Sequence, residues 1–207
     1  MSLRQTYTLW APIYDLMLKQ TTRTARARNL DALGSLDGKS LAIIGIGSGL
    51  DLELLSERMP HPDYCIGLDI TRAMLRHAQV RSTRSLFPVQ LIEADAMNTP
   101  FGQEQFDIVL LHLILAVVPR PELALAEASR ILKPGGTILI FDKFLHHKQK
   151  APLRRLISPL LGLLATRTDV ELEPLLAEHP ELIPTRNEPL LARGWFRGIT
   201  LIKKDLN

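Results

Sequence analysis

"AIIGIGSGLDLELL", residues 42–55, decides how this chain is read. Small and apolar residues run into three glycines, Gly45, Gly47 and Gly49, and an apolar helical pattern follows from Asp51. A glycine loop between a strand and a helix brings backbone close to something, either a ligand or a neighbouring helix. The form here is G-x-G-x-G. A dinucleotide fingerprint, G-x-G-x-x-G, puts its third glycine one position later, where Leu50 stands, and a P-loop needs G-K-[ST], which is missing. Neither phosphate-binding motif fits. Taken alone, the loop also fits a tight turn with close helix packing.

Outward from this loop, "KSLAIIGI" is a first strand and 51–59 a helix closed by Pro60. "DYCIGLDI" is a second strand, and Thr71 stands where it can cap the helix "RAMLRHAQVRS". "VQLIEADA" and "QFDIVLLH" are the third and fourth strands. Pro121 opens the helix "PELALAEASRIL", and the turn "KPGG" leads to a fifth strand, "GTILIFDKF". Apolar strands alternating with helices predict an α/β fold, a parallel sheet covered on both faces and doubly wound. The end differs. "IPTRNEPLLARGWFRGITLIKK" holds two strand-like runs around Gly194, too close for a crossover helix, so an antiparallel hairpin should close the sheet. Upstream, residues 8–34 read as helix, with a break at Pro12 and a stop at Gly34. The expected organisation is a single domain, 1–207, with an N-terminal helical cap at 1–38 and a helical insertion at 145–182 near the acceptor site.

A composition of 46% hydrophobic and 23% charged residues argues against disorder, and a net charge of +3 is too small to imply nucleic acid. The single cysteine, Cys65, excludes an intrachain disulfide and falls in a strand expected to be buried, which fits a reducing, cytoplasmic setting. No apolar run approaches the ~20 residues that span a bilayer, so the chain reads as soluble or peripheral. The six histidines show no ligand spacing, and no metal is expected.

In open parallel sheets the ligand lies at the carboxyl ends of the strands. Asp69 ends the second strand, roughly 20 residues past Gly49, where an acid accepts hydrogen bonds from both hydroxyls of a ribose. Asp95 ends the third; a carboxylate there suits an adenine amino group, with the Ala96 and Met97 backbone on the ring nitrogens. Either acid alone is equally a cap or a loop residue. Their placement beside the glycine loop favours a nucleoside. Met74 fits either the adenine face or plain core.

In order along the chain, "LAIIGIGSGLDL", "IGLDITRAML", "IEADAMNTPF", "FDIVLLHLIL" and "RILKPGGTILIFD" resemble the motifs of class I S-adenosylmethionine-dependent methyltransferases, over residues 40–142. The resemblance implies S-adenosyl-L-methionine as cofactor and a seven-stranded Rossmann-like sheet of order 3-2-1-4-5-7-6 with strand 7 antiparallel. It implies a cofactor site of Gly45, Ile46, Gly47, Ser48, Gly49, Asp69, Ile70, Met74, Asp95, Ala96, Met97 and His112. It also implies that the glycines are required because a Cβ would collide with the ligand.

"TYTLWAPIYD" resembles the opening of bacterial phosphatidylethanolamine N-methyltransferases and of the related quinone-biosynthesis methyltransferases. "HLILAVVPRPELALAEASRILKPGG" and "EPLLARGWFRGITLIKK" look closer to the former. Tyr7 and Tyr14 are then expected over the cofactor or acceptor pocket, as catalytic residues. His112 is expected as a base or acceptor contact, with a packed strand-end histidine as the alternative. Asp142-Lys143-Phe144 departs from the Asn-His-Phe of the phospholipid enzymes and leaves the acceptor headgroup open. "LLHLIL" stands where base-methylating enzymes carry N-P-P-[YFW], so a nucleic-acid partner is disfavoured.

The expected function is N-methylation of phosphatidylethanolamine or a similar amine lipid. The alternative is a soluble C- or O-methyltransferase for a small-molecule acceptor of the quinone-precursor type, and a nicotinamide-dependent oxidoreductase ranks behind both. The basic, leucine-rich stretch 143–168, with Lys19, Arg23, Arg26 and Arg28 upstream, suggests docking on an anionic membrane surface, peripherally on its inner face. The alternative is a cap helix packed on the sheet.

Overall fold

The computed structural model describes residues 22–144 and 170–205. At its centre lie β1 (Ser40–Ile44) and β4 (Phe106–His112), buried along nearly their whole length. That burial on both faces explains why their sequences are continuous apolar runs rather than alternating ones. β2 (Tyr64–Asp69), β3 (Val89–Glu93), β5 (Leu132–Lys143), β6 (Leu182–Leu191) and β7 (Phe196–Lys203) complete a seven-stranded sheet of order β3-β2-β1-β4-β5-β7-β6. β1 to β5 pair in parallel, and β7 runs antiparallel between β5 and β6. This is the expected order and hairpin, and it differs from the two-halved dinucleotide fold.

The helices are α1 (22–30), α2 (Leu50–Ser56), α3 (Arg72–Ser82), α4 (Pro121–Ile131) and α5 (Leu172–Ala177). Successive strand residues point to opposite faces and so feed two cores. Leu41, Ile43, Leu110 and Leu139 pack with Leu30 of α1 and Leu52 and Leu55 of α2, and with Ala78 of α3. Ile44, Val109, Leu111 and Ile140 pack with Ala124 and Leu125 of α4 and Leu172 of α5. Cys65 is buried in the first of these cores, as expected.

Three local expectations are corrected. The helix after the glycine loop ends at Ser56 rather than reaching residue 59. β5 begins at Leu132, opposite Phe106; the "KPGG" residues bulge out before Thr137 resumes pairing opposite Ile108. Thr71 occupies the N-cap position of α3 but makes no side-chain cap bond; its N–H is instead held by the Asp69 carboxylate. Tyr7, Tyr14, Lys19 and the stretch 145–169 lie outside the described residues. The remainder of the expected insertion, 170–182, carries α5, and the end of the N-terminal cap carries α1 with a 3-10 turn at Asp31–Leu33.

Candidate active site

A cleft opens at the carboxyl ends of β1 to β4. The glycine loop lines it through Gly45–Ser48, the end of β2 through Asp69–Thr71, α3 through Met74, and the segment after β3 through Ala94–Met97. The loop after β4 adds His112–Ile114 and Val117–Pro119, and α1 adds Arg26. The structure thus gathers most of the expected cofactor residues at one place. Gly49 stands behind the wall, at the N-cap of α2.

All three loop glycines have positive φ, 71° at Gly45, 57° at Gly47 and 85° at Gly49, where a Cβ is strained. What surrounds them differs. A Cβ on Gly45 would come 2.6 Å from Ile114 Cδ1, and one on Gly49 3.1 Å from Ala78 Cα of α3, whereas one on Gly47 would meet nothing within 4 Å. The expectation that ligand contact explains all three glycines is therefore corrected. Gly45 and Gly49 let protein pack against the loop. Gly47 alone leaves its space open to the cleft.

Asp69 ties that loop to β2. Its Oδ2 accepts the Gly47 N–H at 3.0 Å and its Oδ1 the Thr71 N–H at 2.8 Å. Burial pushes its carboxyl up, and the Thr71 and Gly47 N–H groups and the Thr71 hydroxyl oppose the shift. With three protein donors on its two oxygens, the carboxylate keeps acceptor capacity for a ligand hydroxyl. Asp95 shapes its own turn: Oδ1 accepts the Met97 N–H at 2.8 Å. The Met97 amide is thereby spent, which corrects its expected place on an adenine ring nitrogen. This segment is pinned to α4. Glu127 Oε2 accepts both the N–H and the hydroxyl of Thr99 at 2.8 Å, and Arg130 pairs with Glu127 and donates to the Phe101 carbonyl at 2.9 Å. Hydrogen bonds from Arg130, then those from Thr99, outweigh burial and hold the Glu127 carboxyl at about 2. Met74 is buried and Ile70 is 46% exposed at the cleft mouth; Ser48 is buried, and its carbonyl accepts from Arg81 Nη1 at 2.7 Å.

His112 sits in a buried polar chain. Its Nδ1 lies 3.0 Å from Asp51 Oδ1 and its Nε2 lies 3.1 Å from Asn29 Nδ2. The Asn29 amide can face only one way, because Nδ2 donates to the Ile140 carbonyl at 3.0 Å and Oδ1 accepts from Arg186 Nη1 at 3.0 Å. Nδ2 is thus the donor toward the ring, Nε2 the acceptor, and the ring proton resides on Nδ1, donated to Asp51. The imidazole is neutral with both nitrogens occupied. A base needs a free nitrogen, so the expected base role of His112 gives way to that of a fixed wall. Burial pushes the Asp51 carboxyl up, but Arg26, with Nη1 at 3.2 Å, and His112 overcome it and hold it at about 2.

Arg26, Asn29 and Asp51 were not legible as site residues. An acid in the first turn of a helix is explained by the helix dipole alone, and Arg26 reads as one more cation on a basic helix. Arg26 is instead 7% exposed, and its Nε is buried without a hydrogen-bond partner. Among the described residues no group of three or more His, Cys, Asp or Glu could hold a metal ion. Carboxylates at one end, an orphaned guanidinium donor at the other, an open space at Gly47 and apolar walls fit a nucleoside joined to an amino acid.

Residues 43–140 match the methyltransferase-domain family model. The chain is 29% identical over 195 residues to a phosphatidylethanolamine N-methyltransferase of Cereibacter sphaeroides, with 93% of each chain covered. It is 32% identical over 120 residues to a demethylmenaquinone methyltransferase of Staphylococcus saprophyticus, covering 58% of this chain and 51% of that one. A solved S-adenosylmethionine-dependent methyltransferase of Thermotoga maritima shares the fold with a TM-score of 0.72 at 20% identity, over 97% of this chain and 99% of that one.

Proposed function

We propose, from the premise that this chain is an S-adenosylmethionine-dependent methyltransferase, that it N-methylates phosphatidylethanolamine or a similar amine lipid. The observation that carries the acceptor is the extent of likeness. The Cereibacter enzyme is matched along 93% of its length, the staphylococcal quinone enzyme along 51%.

S-adenosylmethionine, when bound, supplies a methyl group on a sulfonium for in-line displacement. Asp69 would take ribose hydroxyls and Asp95 an adenine amino group, and Met74 and Ile70 line the same cleft. Gly47 leaves room for the ligand against the backbone. Ile114, Val117 and Val118 line the cleft with apolar surface, which limits water. His112 orients the wall and takes no proton. The acceptor amine must therefore arrive neutral, because an ammonium has no lone pair.

Membrane docking narrows to fewer residues. Arg23 pairs with Glu57 at 2.5 Å, Arg26 is buried on Asp51, and Lys143 is half-buried over the Trp195 and Phe196 rings at 5.7 and 5.6 Å. Of the cations expected to touch lipid, Arg28 is exposed, and Lys19, Lys148, Lys150, Arg154, Arg155 and Arg167 lie outside the described residues. No described helix is long and apolar enough to cross a membrane.

The test is transfer of labelled methyl to vesicles of phosphatidylethanolamine mixed with anionic lipid. Methylated lipid should form, at a rate that rises with pH while chemistry is rate-limiting. The second reading, a quinone-precursor methyltransferase, rests on the demethylmenaquinone likeness. Methylation of demethylmenaquinone with none of the lipid would establish it.

A further inference from the structure

We infer that Lys143 binds the phosphodiester of the acceptor, next to the amine that is methylated, and so selects phosphate-bearing amines; the inference rests on the amine-lipid reading above. Lys143 is the last residue of β5, at the carboxyl edge of the sheet. It pairs with Phe196 of β7, and its ammonium lies over the Trp195 and Phe196 rings. The side chain is half-buried, yet Nζ is not sealed from solvent, and it makes no hydrogen bond or ion pair to any described residue. The neighbouring acid does not answer it. Asp142 is fully buried, with Oδ2 on the Ala116 N–H at 3.1 Å and Oδ1 on the backbone N–H of Lys143 at 2.8 Å. Burial pushes the Lys143 ammonium down, and the Asp142 charge recovers only part of that shift. Aromatic faces attract an ammonium but offer no lone pair to its three N–H groups. The cation is held in place and lacks an anion.

Its position is the side from which the acceptor comes. Asp69 and Asp95 line the cleft toward β2 and β3, where they suit the adenosine and repel a phosphate. That leaves the side of β4 and β5. The cleft-lining loop after β4 is stitched to the end of β5: the Leu113 N–H donates to the Phe141 carbonyl at 2.7 Å, and the Ala116 N–H to Asp142. Lys143 is the next residue. A row of rings leads back from it to the cleft wall, with centroids 5.7 Å apart from Phe196 to Phe141 and 5.8 Å from Phe141 to His112. Arg26, the cation in that wall, is already paired with Asp51 at 3.2 Å. In an ethanolamine phosphodiester two carbons join the nitrogen to the phosphate. The nitrogen can face the methyl group beside His112 while the phosphate lies one step outward, at the edge of β5 and β7. There its oxygens accept from the Lys143 ammonium, and the two rings keep water from one side of the contact, which strengthens it. A quinone ring has no anion to place there.

The measurement is steady-state methyl transfer by the full chain with saturating S-adenosylmethionine. The acceptors are phosphatidylethanolamine in non-ionic detergent micelles, water-soluble glycerophosphoethanolamine, and a diacylglycerol 2-aminoethyl ether in the same micelles. The ether keeps the amine and the acyl chains and lacks the phosphate. Lys143→Met keeps a stem over the rings and removes the charge; Lys143→Gln gives the same readout if the first variant folds poorly. Either should raise KM roughly tenfold or more for both phosphate-bearing acceptors, with kcat little changed, through loss of a charge-assisted hydrogen bond. For the ether, KM should stay within about twofold of wild type, since it makes no such contact. Lys143→Arg should restore most of the lost KM, because it restores the charge. A KM rise for the lipid and not for the soluble phosphodiester overturns the inference and makes Lys143 a contact to the micelle surface. An equal rise for all three acceptors, or none for any, overturns it and leaves Lys143 as packing on the rings. Wild-type protein that methylates neither phosphate-bearing acceptor overturns the amine-lipid reading and the inference with it.

Discussion

Gly45 and Gly47 share one motif and are limited by different things. Both have φ near +60 to +70°, so any Cβ there costs on the order of 1–2 kcal/mol. Beyond that shared strain, Gly45→Ala drives its methyl into Ile114, in the wall of the cleft. Gly47→Ala drives its methyl into open cleft space. Thermal unfolding without ligand should therefore show the larger loss for Gly45→Ala. Calorimetry with S-adenosylhomocysteine should show a large affinity loss for Gly47→Ala. Equal affinity in wild type and Gly47→Ala would mean that the loop faces something other than the cofactor.

At the scale of elements, α1 lies on the sheet because β7 presents a glycine to it. A Cβ on Gly198 would fall well inside contact distance of Asn29 Oδ1. Gly198→Ala should destabilise by about 1–3 kcal/mol, the usual cost of overpacking. It should also displace Asn29 from His112, visible as a changed nitrogen chemical shift for Nε2. An unchanged His112 signal would separate α1 packing from the ring's hydrogen bonding. A second element-scale tie is Glu127, which joins α4 to the segment after β3. Its folded pKa of about 2 lies below the usual 4.5, so the stabilisation is complete above pH 4.5. It is lost as pH falls from 4.5 toward about 2. Urea unfolding across that window should steepen with acid in wild type and flatten in Glu127→Gln.

For the whole molecule, the chain's end is not an appendage. β7 lies inside the sheet, between β5 and β6, with Ile199 and Leu201 fully buried in the core that also holds Ile138 and Ile140. A chain cut before β6 exposes the β5 edge and one side of that core. It should show no cooperative unfolding transition and should aggregate. A truncated chain that melts cooperatively would show that five strands suffice.

The element types and their order were legible because they follow from local periodicity and from the right-handedness of crossovers, both carried by neighbouring residues. "FDIVLLH" is apolar on both parities, so β4 reads as central. "PLLARGWFRG" leaves too few residues for a crossover, so the last pair reads as antiparallel. That Asp69, at the end of β2, and Asp95, two residues past the end of β3, line the cleft was legible for the same reason: a strand's exit fixes where an acid stands. What only the tertiary structure decided depends on pairs far apart in the chain. Asp51 meets His112 across 61 residues and Asn29 meets Arg186 across 157. These contacts make His112 a neutral strut and bury Arg26. The same holds for Gly45 and Gly47, which look alike in sequence. Whether a Cβ at either position meets Ile114 or open space is settled by how β4 and its loop pack beside β1. No local pattern encodes that packing.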